Sequence, residues 1–279
     1  MDIGGYKVIV SRETKDTKVE VLSFDQLRGS SDIRTAEKLF YAQNTGMTLK
    51  MVKISLIKSS VRVEPGALYY MKGDLEMKAS TGGGVFKGLK RKMLSGESFF
   101  VNEIHGTGEI FLEPTFGHFF LHSLQNNETG IIVDSGLFYG GTEGLDIDAV
   151  MLKTFSSAVA SQEGLFQTRI RGTGIAIMYS PVPEEEIEKF SLDDDRLFVD
   201  GNFTLMRSGS IKYKVVKSSK SLLATSVSGE GLLHRFEGTG NVWIAPTQGI
   251  YEKMSTDVGL KSLSRVPGSR NTETTTTRK

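Results

Sequence analysis

His118 and His122 flank Phe119-Phe120-Leu121. On a strand, where side chains alternate between faces, both imidazoles point the same way. With Glu113 or Glu109 as a third ligand, and outer groups to orient the rings, they could hold a transition metal in a cupin-like enzyme. Against this, the matching stretch of the next copy of a repeat described below, Glu184 to Phe190, has no histidine, so the metal reading ranks last. His105 and His234 precede Gly-Thr-Gly words at unequal offsets and form no pair. The acidic runs Glu184–Glu186 and Asp193–Asp195 read as solvated charge, because acid–base work by paired carboxylates needs an unusual environment. There is no cysteine, which excludes disulfides, thiolate metal sites and cysteine nucleophiles. No Gly-x-Ser-x-Gly elbow, His-Glu-x-x-His helix or dinucleotide fingerprint occurs. The expectation is a protein that is not an enzyme and carries no cofactor or metal.

The segment with the strongest binding character is Thr81 to Leu94. Three glycines, Gly82 to Gly84, are followed by Val85, Phe86, Leu89, Met93 and Leu94, interleaved with Lys87, Lys90, Arg91 and Lys92. It is not a phosphate-binding P-loop, since Gly-x4-Gly-Lys-Ser/Thr is absent. A basic, apolar excursion suits an anionic membrane surface or an acidic protein partner, with Phe86 and Leu89 inserting and the four cations supplying attraction. The alternative is a connection whose Phe86 and Leu89 plug the core while the cations meet water. The net charge of +1 gives no global pull toward nucleic acid or membrane, and no basic stripe with interleaved aromatics suggests a specific nucleic acid.

The elements that must position these residues are organised by repetition. Gly-Thr-Gly stands at 106–108, 172–174 and 238–240, a step of 66 residues each time. Val133-Asp134-Ser135 and Val199-Asp200-Gly201 keep the same step, and Val63-Glu64-Pro65-Gly66 is the earlier counterpart. Each glycine word predicts a bulge or tight bend, because glycine reaches positive φ without steric cost; Asp134 and Asp200 are expected to cap turns. The first copy is four residues longer, and the Gly82–Gly84 region is where they fit. Short β-rich runs punctuated by Gly, Ser and Asn predict an all-β protein. Ser210 to Val215 alternates as a half-buried strand, and Asp146 to Lys153, its counterpart, is read as strand as well.

The predicted organisation is an N-terminal extension over 1–46, loosely attached, with a strand at Tyr6–Val10 and a weak helix from Thr35 to Phe40. A single three-copy β domain follows over 47–262, divided at about 115 and 181, and a disordered tail occupies 263–279. The N-terminus lacks the regions of a signal peptide, and no apolar run is long enough to span a bilayer, so a cytoplasmic location is expected, with a peripheral membrane contact through 82–94.

Gly82-Gly-Gly-Val-Phe-Lys-Gly-Leu-Lys-Arg91, Ser95-Gly-Glu-Ser-Phe-Phe100, Glu64-Pro-Gly-Ala-Leu-Tyr-Tyr-Met71, Ser228-Gly-Glu-Gly-Leu-Leu233 and Phe236-Glu-Gly-Thr-Gly240 carry a resemblance. Over roughly residues 50–254 the chain resembles the family named for the yeast altered-inheritance-of-mitochondria protein twenty-four. It departs from that family at Lys87, often a glycine there, and in both terminal regions. The resemblance implies a fold like that of the trp RNA-binding attenuation protein: a short double-stranded β-helix sandwich, in three tandem copies about a pseudo-threefold axis. It also implies a link, in eukaryotic members, to mitochondrial inner-membrane organisation, and no catalytic residues. RNA binding does not follow from a shared fold. The function expected is a scaffold or adaptor using Phe86, Lys87, Leu89, Lys90, Arg91 and Lys92 against an anionic membrane or an unknown protein partner. A small-ligand or nucleic-acid-binding module using the crevices between copies is the alternative.

Overall fold

The computed structural model describes residues 5–80, 101–134, 136–151, 166–201, 203–217 and 232–263. Its strands are β1 (Tyr6–Glu13), β2 (Thr17–Phe24), β3 (Leu49–Val63), β4 (Leu68–Ser80), β5 (Val101–Leu112), β6 (His118–Val133) and β7 (Phe138–Thr142). They continue with β8 (Leu145–Met151), β9 (Phe166–Ser180), β10 (Glu188–Asp200), β11 (Thr204–Ser208), β12 (Lys212–Lys217) and β13 (Leu232–Ile244). Among the described residues three short α-helices accompany them, α1 (Ile33–Asn44), α2 (Gln248–Met254) and α3 (Asp257–Leu263), with a 3-10 turn at Glu184–Glu186. The protein is all-β, and every strand pairing among the described residues is antiparallel.

Three long pairs carry the structure: β3 with β5, β6 with β9, and β10 with β13. Each is interrupted at the same point. Lys58, Asn126 and Asp194 sit at φ of 49°, 44° and 49°, and the register shifts beside each one. Their backbone N–H groups donate to the hydroxyls of Thr107, Thr173 and Thr239 at 3.0, 3.1 and 3.1 Å. The extra residue of the bulge therefore lies on the strand opposite Gly-Thr-Gly, and the threonine hydroxyl satisfies the amide that leaves the ladder. The first glycine is required by approach as well as by φ: a Cβ on Gly106 would strike the carbonyl of Asp74, and one on Gly172 that of Gly144.

The sheet runs β1-β2-β3-β7-β9-β6-β11-β13-β10, with β5 on β3 and β4 on β5, β8 on β9, and β12 on β13. Two junctions tie the long pairs together. The end of β3 takes β7 on its free side (Val61↔Thr142, Arg62↔Gly141, Val63↔Gly140). The end of β6 takes β11 in the same way (Ile131↔Ser208, Ile132↔Arg207, Val133↔Met206).

Alternation along the strands divides the core. β6 turns Phe119 and Leu121 toward a first cluster that includes Val19, Val21, Ile54, Val61 and Ile104. It turns Phe120 and Leu124 toward a second with Ile170, Met178, Leu205 and Met206. A smaller third cluster gathers Leu192, Val199, Ile211, Phe236, Val242 and Ile244. Each such side chain contributes about 1.5–3 kcal/mol on burial.

The N-terminal region corrects one expectation. Residues 5–24 are not a loose extension: β2 pairs with β3 from Thr17↔Leu56 to Phe24↔Leu49, and Val19 and Val21 are fully buried. The period-two alternation of Val19 and Val21 with Lys18 and Glu20 is the reason, since it presents one apolar face to the first core cluster. α1 does stay outside. Asp32 caps it by accepting from the Thr35 N–H at 2.9 Å, and none of its side chains is buried. β8 forms where strand was expected at Asp146–Lys153. Of the tail, only Leu263 is among the described residues.

Candidate functional site

The expected binding residues Phe86, Lys87, Leu89, Lys90, Arg91 and Lys92 lie outside the described residues. What is described is their frame: β4 and β5 pair continuously to Ser80↔Val101, where the segment 81–100 begins and ends. The corresponding ladders finish at Met151↔Phe166 and Lys217↔Leu232.

The histidines are used in packing. His122 meets Trp243 edge-on at 5.5 Å between ring centroids, and the Lys189 ammonium stands 4.4 Å from the same indole. Burial, then the nearby Lys189, pushes the His122 pKa down; burial and Lys50 do the same to His118. His105 approaches Glu76 at 3.2 Å, and His234 Nδ1 is 3.1 Å from the Tyr213 hydroxyl. Among the described residues no three His, Asp or Glu side chains come together to hold a metal. The acidic run at 184–186 ties surfaces instead. Glu184 pairs with Lys189 at 2.7 Å, and Glu186 accepts from Thr247 and, at 2.7 Å, from Tyr251 on α2.

The first junction opens a crevice of about 360 Å³ lined by Glu64, Pro65, Gly66, Ala67, Gly136, Phe138, Tyr139 and Tyr179. Its frame is backbone: Glu64 N–H to Tyr139 O (3.1 Å), Glu113 N–H to Ala67 O (2.8 Å) and Tyr179 N–H to Leu137 O (2.8 Å). Both tyrosine rings pack on Phe119, at 5.2 and 5.8 Å between centroids. Gly117 lies directly against the Tyr179 ring, where a Cβ would collide. Burial raises the pKa of Glu64, and no donor among the described residues bonds its carboxylate. The Tyr139 pKa is raised by burial and then by Glu113 and Glu64. A desolvated carboxylate beside phenol hydroxyls and ring faces can receive a small hydrogen-bond donor or a cation.

The second junction repeats the frame with other side chains. Asp134 N–H bonds Leu205 O at 3.0 Å and Ala245 N–H bonds Phe203 O at 2.8 Å. Leu205 and Ala245, at the places of Tyr139 and Tyr179, are buried in the second core cluster. Opposite Ile132 and Val242 stands Arg207, only 6% exposed, with its guanidinium 5.3 Å from the Tyr213 ring centre. Its Nε and Nη1 find no hydrogen-bond acceptor among the described residues, and burial, with Arg169 adding to it, pushes its pKa down to about 10. The turn at Asp134 is closed by its backbone carbonyl, which accepts the Leu137 N–H, and its carboxylate accepts from the Gln167 side chain at 3.5 Å.

Sequence reasoning found the turn containing Glu64 but not Tyr139, Tyr179 or Arg207, which sit singly among strand residues with no motif around them. Setting the two junctions side by side, Tyr139 against Leu205, Tyr179 against Ala245 and Gly141 against Arg207, is the signal that finds them.

Comparison with known proteins agrees with this architecture. The crystal structure of protein SPYM3_0169 from Streptococcus pyogenes is similar to this chain with a TM-score of 0.54 and 21% identity, covering 75% of this chain and 94% of the other. At that identity the likeness speaks for the fold alone. A comparison with curated proteins finds no match. The model of the family described as Mitochondrial biogenesis AIM24 matches residues 42–247, which takes in everything from the last turns of α1 to the end of β13, and the chain belongs to that family.

Proposed function

We propose that this chain is a non-enzymatic scaffold or adaptor, built from three copies of one β unit of the kind seen in the trp RNA-binding attenuation protein. Its basic, apolar segment 82–94 engages an anionic membrane surface or a protein partner. The observation that carries the reading is an asymmetry. The three corresponding ladders end alike, but the connection beyond β4 and β5 spans residues 81–100, while the other two span only 152–165 and 218–231. Only the first holds the cluster Lys87, Lys90, Arg91 and Lys92. A scaffold that varies one of three equivalent connections concentrates its contacts there. Cations beside anionic lipid contribute about 1 kcal/mol each, so four give about 4 kcal/mol, a reversible association. No helix among the described residues is long and apolar enough to cross a membrane.

Flotation with anionic and neutral vesicles tests this, comparing the full chain with a variant carrying Phe86→Ser, Leu89→Ser and glutamine at the four cations. Binding that requires anionic lipid and disappears in the folded variant supports the membrane contact. Equal flotation of both proteins would remove the segment from the interaction.

The crevice at the first junction supports a second reading, a small-ligand module. Thermal-shift screening of small organic cations against the full chain and Glu64→Gln tests it: a shift that needs Glu64 favours this function, and the same shift in both proteins removes the crevice as its site.

A further inference from the structure

The two junctions have a third, unmade counterpart. The end of β3 is flanked by β5 and β7, and the end of β6 by β9 and β11. The corresponding end of β10, at Leu197 to Asp200, is paired among the described residues with β13 alone. At the other extreme of the molecule, the start of β4 corresponds to β7 and β11. All three carry the same register shift, between Leu68 and Tyr70, Phe138 and Gly140, and Thr204 and Met206. Yet the start of β4 pairs among the described residues with β5 alone. The molecule thus ends in one strand edge of the β3/β6 kind and another of the β7/β11 kind. Both are open: Phe198 is 50% exposed, and Tyr69, Tyr70 and Met71 are 55%, 44% and 38% exposed. At the second junction the counterparts of Phe198 and Met71, Ile132 and Arg207, are 4% and 6% exposed.

We infer that these edges join head to tail between copies of this chain, the β10 edge of one copy receiving the β4 edge of the next in the register of the internal junctions. That register is fully specified. Arg62↔Gly141 and Ile132↔Arg207 correspond to Phe198↔Met71, and Val63↔Gly140 and Val133↔Met206 to Val199↔Tyr70. The flanking bonds Glu64 N–H to Tyr139 O and Asp134 N–H to Leu205 O correspond to Asp200 N–H donating to Tyr69 O of the next copy. Glu143 N–H to Ser60 O and Gly209 N–H to Gly130 O correspond to Gly73 N–H donating to Arg196 O. A second copy is the occupant because the chain already contains this junction twice, with both halves in its own sequence. Exposed edges invite strand addition, and a contact between two different surfaces propagates into a ring or a filament.

The absence of native cysteine makes the register testable in the full chain. Phe198 and Met71 would be a hydrogen-bonded cross-strand pair about 5.5 Å apart at Cα, within disulfide range. The double variant Phe198→Cys/Met71→Cys, oxidised mildly, is expected to give a ladder of covalent dimers, trimers and larger species. An equal mixture of the two single variants should give mainly the one-to-one dimer. Phe198→Cys combined with Tyr70→Cys places the thiols on opposite faces and should give no ladder. A crosslinked product of monomer mass would show that the junction closes within one chain and overturn the proposal. Free thiols after oxidation, or a ladder of equal yield with Tyr70→Cys, would overturn it as well. Sedimentation of the unmodified chain provides the second measurement: mass rising with concentration is expected, shifted toward the monomer in Phe198→Lys, and a monomer at all concentrations refutes the inference.

Discussion

The two junctions use one backbone and two sets of side chains. At the first, Tyr139, Tyr179 and Glu64 border an open crevice; at the second, Leu205 and Ala245 fill the same positions as core, and Arg207 is enclosed where the first has Gly141. The hydrogen bonds that define the geometry are the same within a few tenths of an ångström. Strand pairing therefore sets where a site can be, and side-chain volume sets whether one opens there.

Grafting the second set into the first is the strongest way to break the comparison. Tyr139→Leu with Tyr179→Ala removes both ring contacts to Phe119 and should destabilise the protein by about 3 kcal/mol in urea unfolding. A loss under about 1 kcal/mol would mean that the crevice tyrosines are not structural. Arg207→Met at the second junction should be neutral or stabilising by about 1 kcal/mol, because a buried guanidinium with unmet donors is replaced by an apolar chain of similar length. Destabilisation of about 3 kcal/mol instead would show that Asp134 holds the charge. Thr107→Val, Thr173→Val and Thr239→Val each delete one acceptor for a bulge amide and should each lose about 1 kcal/mol. Unequal losses would show that the three bulges are not equivalent.

The smallest effects depend on pH and run in opposite directions. His118, His122 and His234 are held below the usual histidine pKa by burial. The unfolded chain takes up their protons first, so their contribution is full above about pH 6.5 and is lost as the pH falls. Melting temperature should drop on acidification below that point, less steeply in His122→Gln. Glu64 is raised, so its contribution is present below the ordinary glutamate pKa and is lost as the pH rises through its folded value. Glu64→Gln should raise the melting temperature at pH 7 and leave it unchanged at pH 4.

What could be read in advance follows from how local each constraint is. Gly106, Gly172 and Gly238 announced a backbone irregularity because positive φ demands glycine at all three, and carbonyl contact demands it again at Gly106 and Gly172. Lys58, Asn126 and Asp194, which form the bulge itself, share no residue type, since the amide rather than the side chain is engaged. β2 was overlooked because its partner β3 lies beyond α1, and a charged eight-residue stretch shows its apolar face only once paired. The crevice was invisible because its three defining side chains come from positions 64, 139 and 179.

The latch at each bulge has a consequence for unfolding. Each long pair resumes beyond its bulge, so its two halves serve different neighbours: β9 carries β8 on one half and β7 on the other, while β6 spans both. No neighbour group can melt without loosening a pair that the adjoining group also needs. The described strands should therefore denature in one concerted transition, with amide exchange in β6 and β9 as slow as global opening and the short strands paired on one side only, β1, β8 and β12, exchanging first.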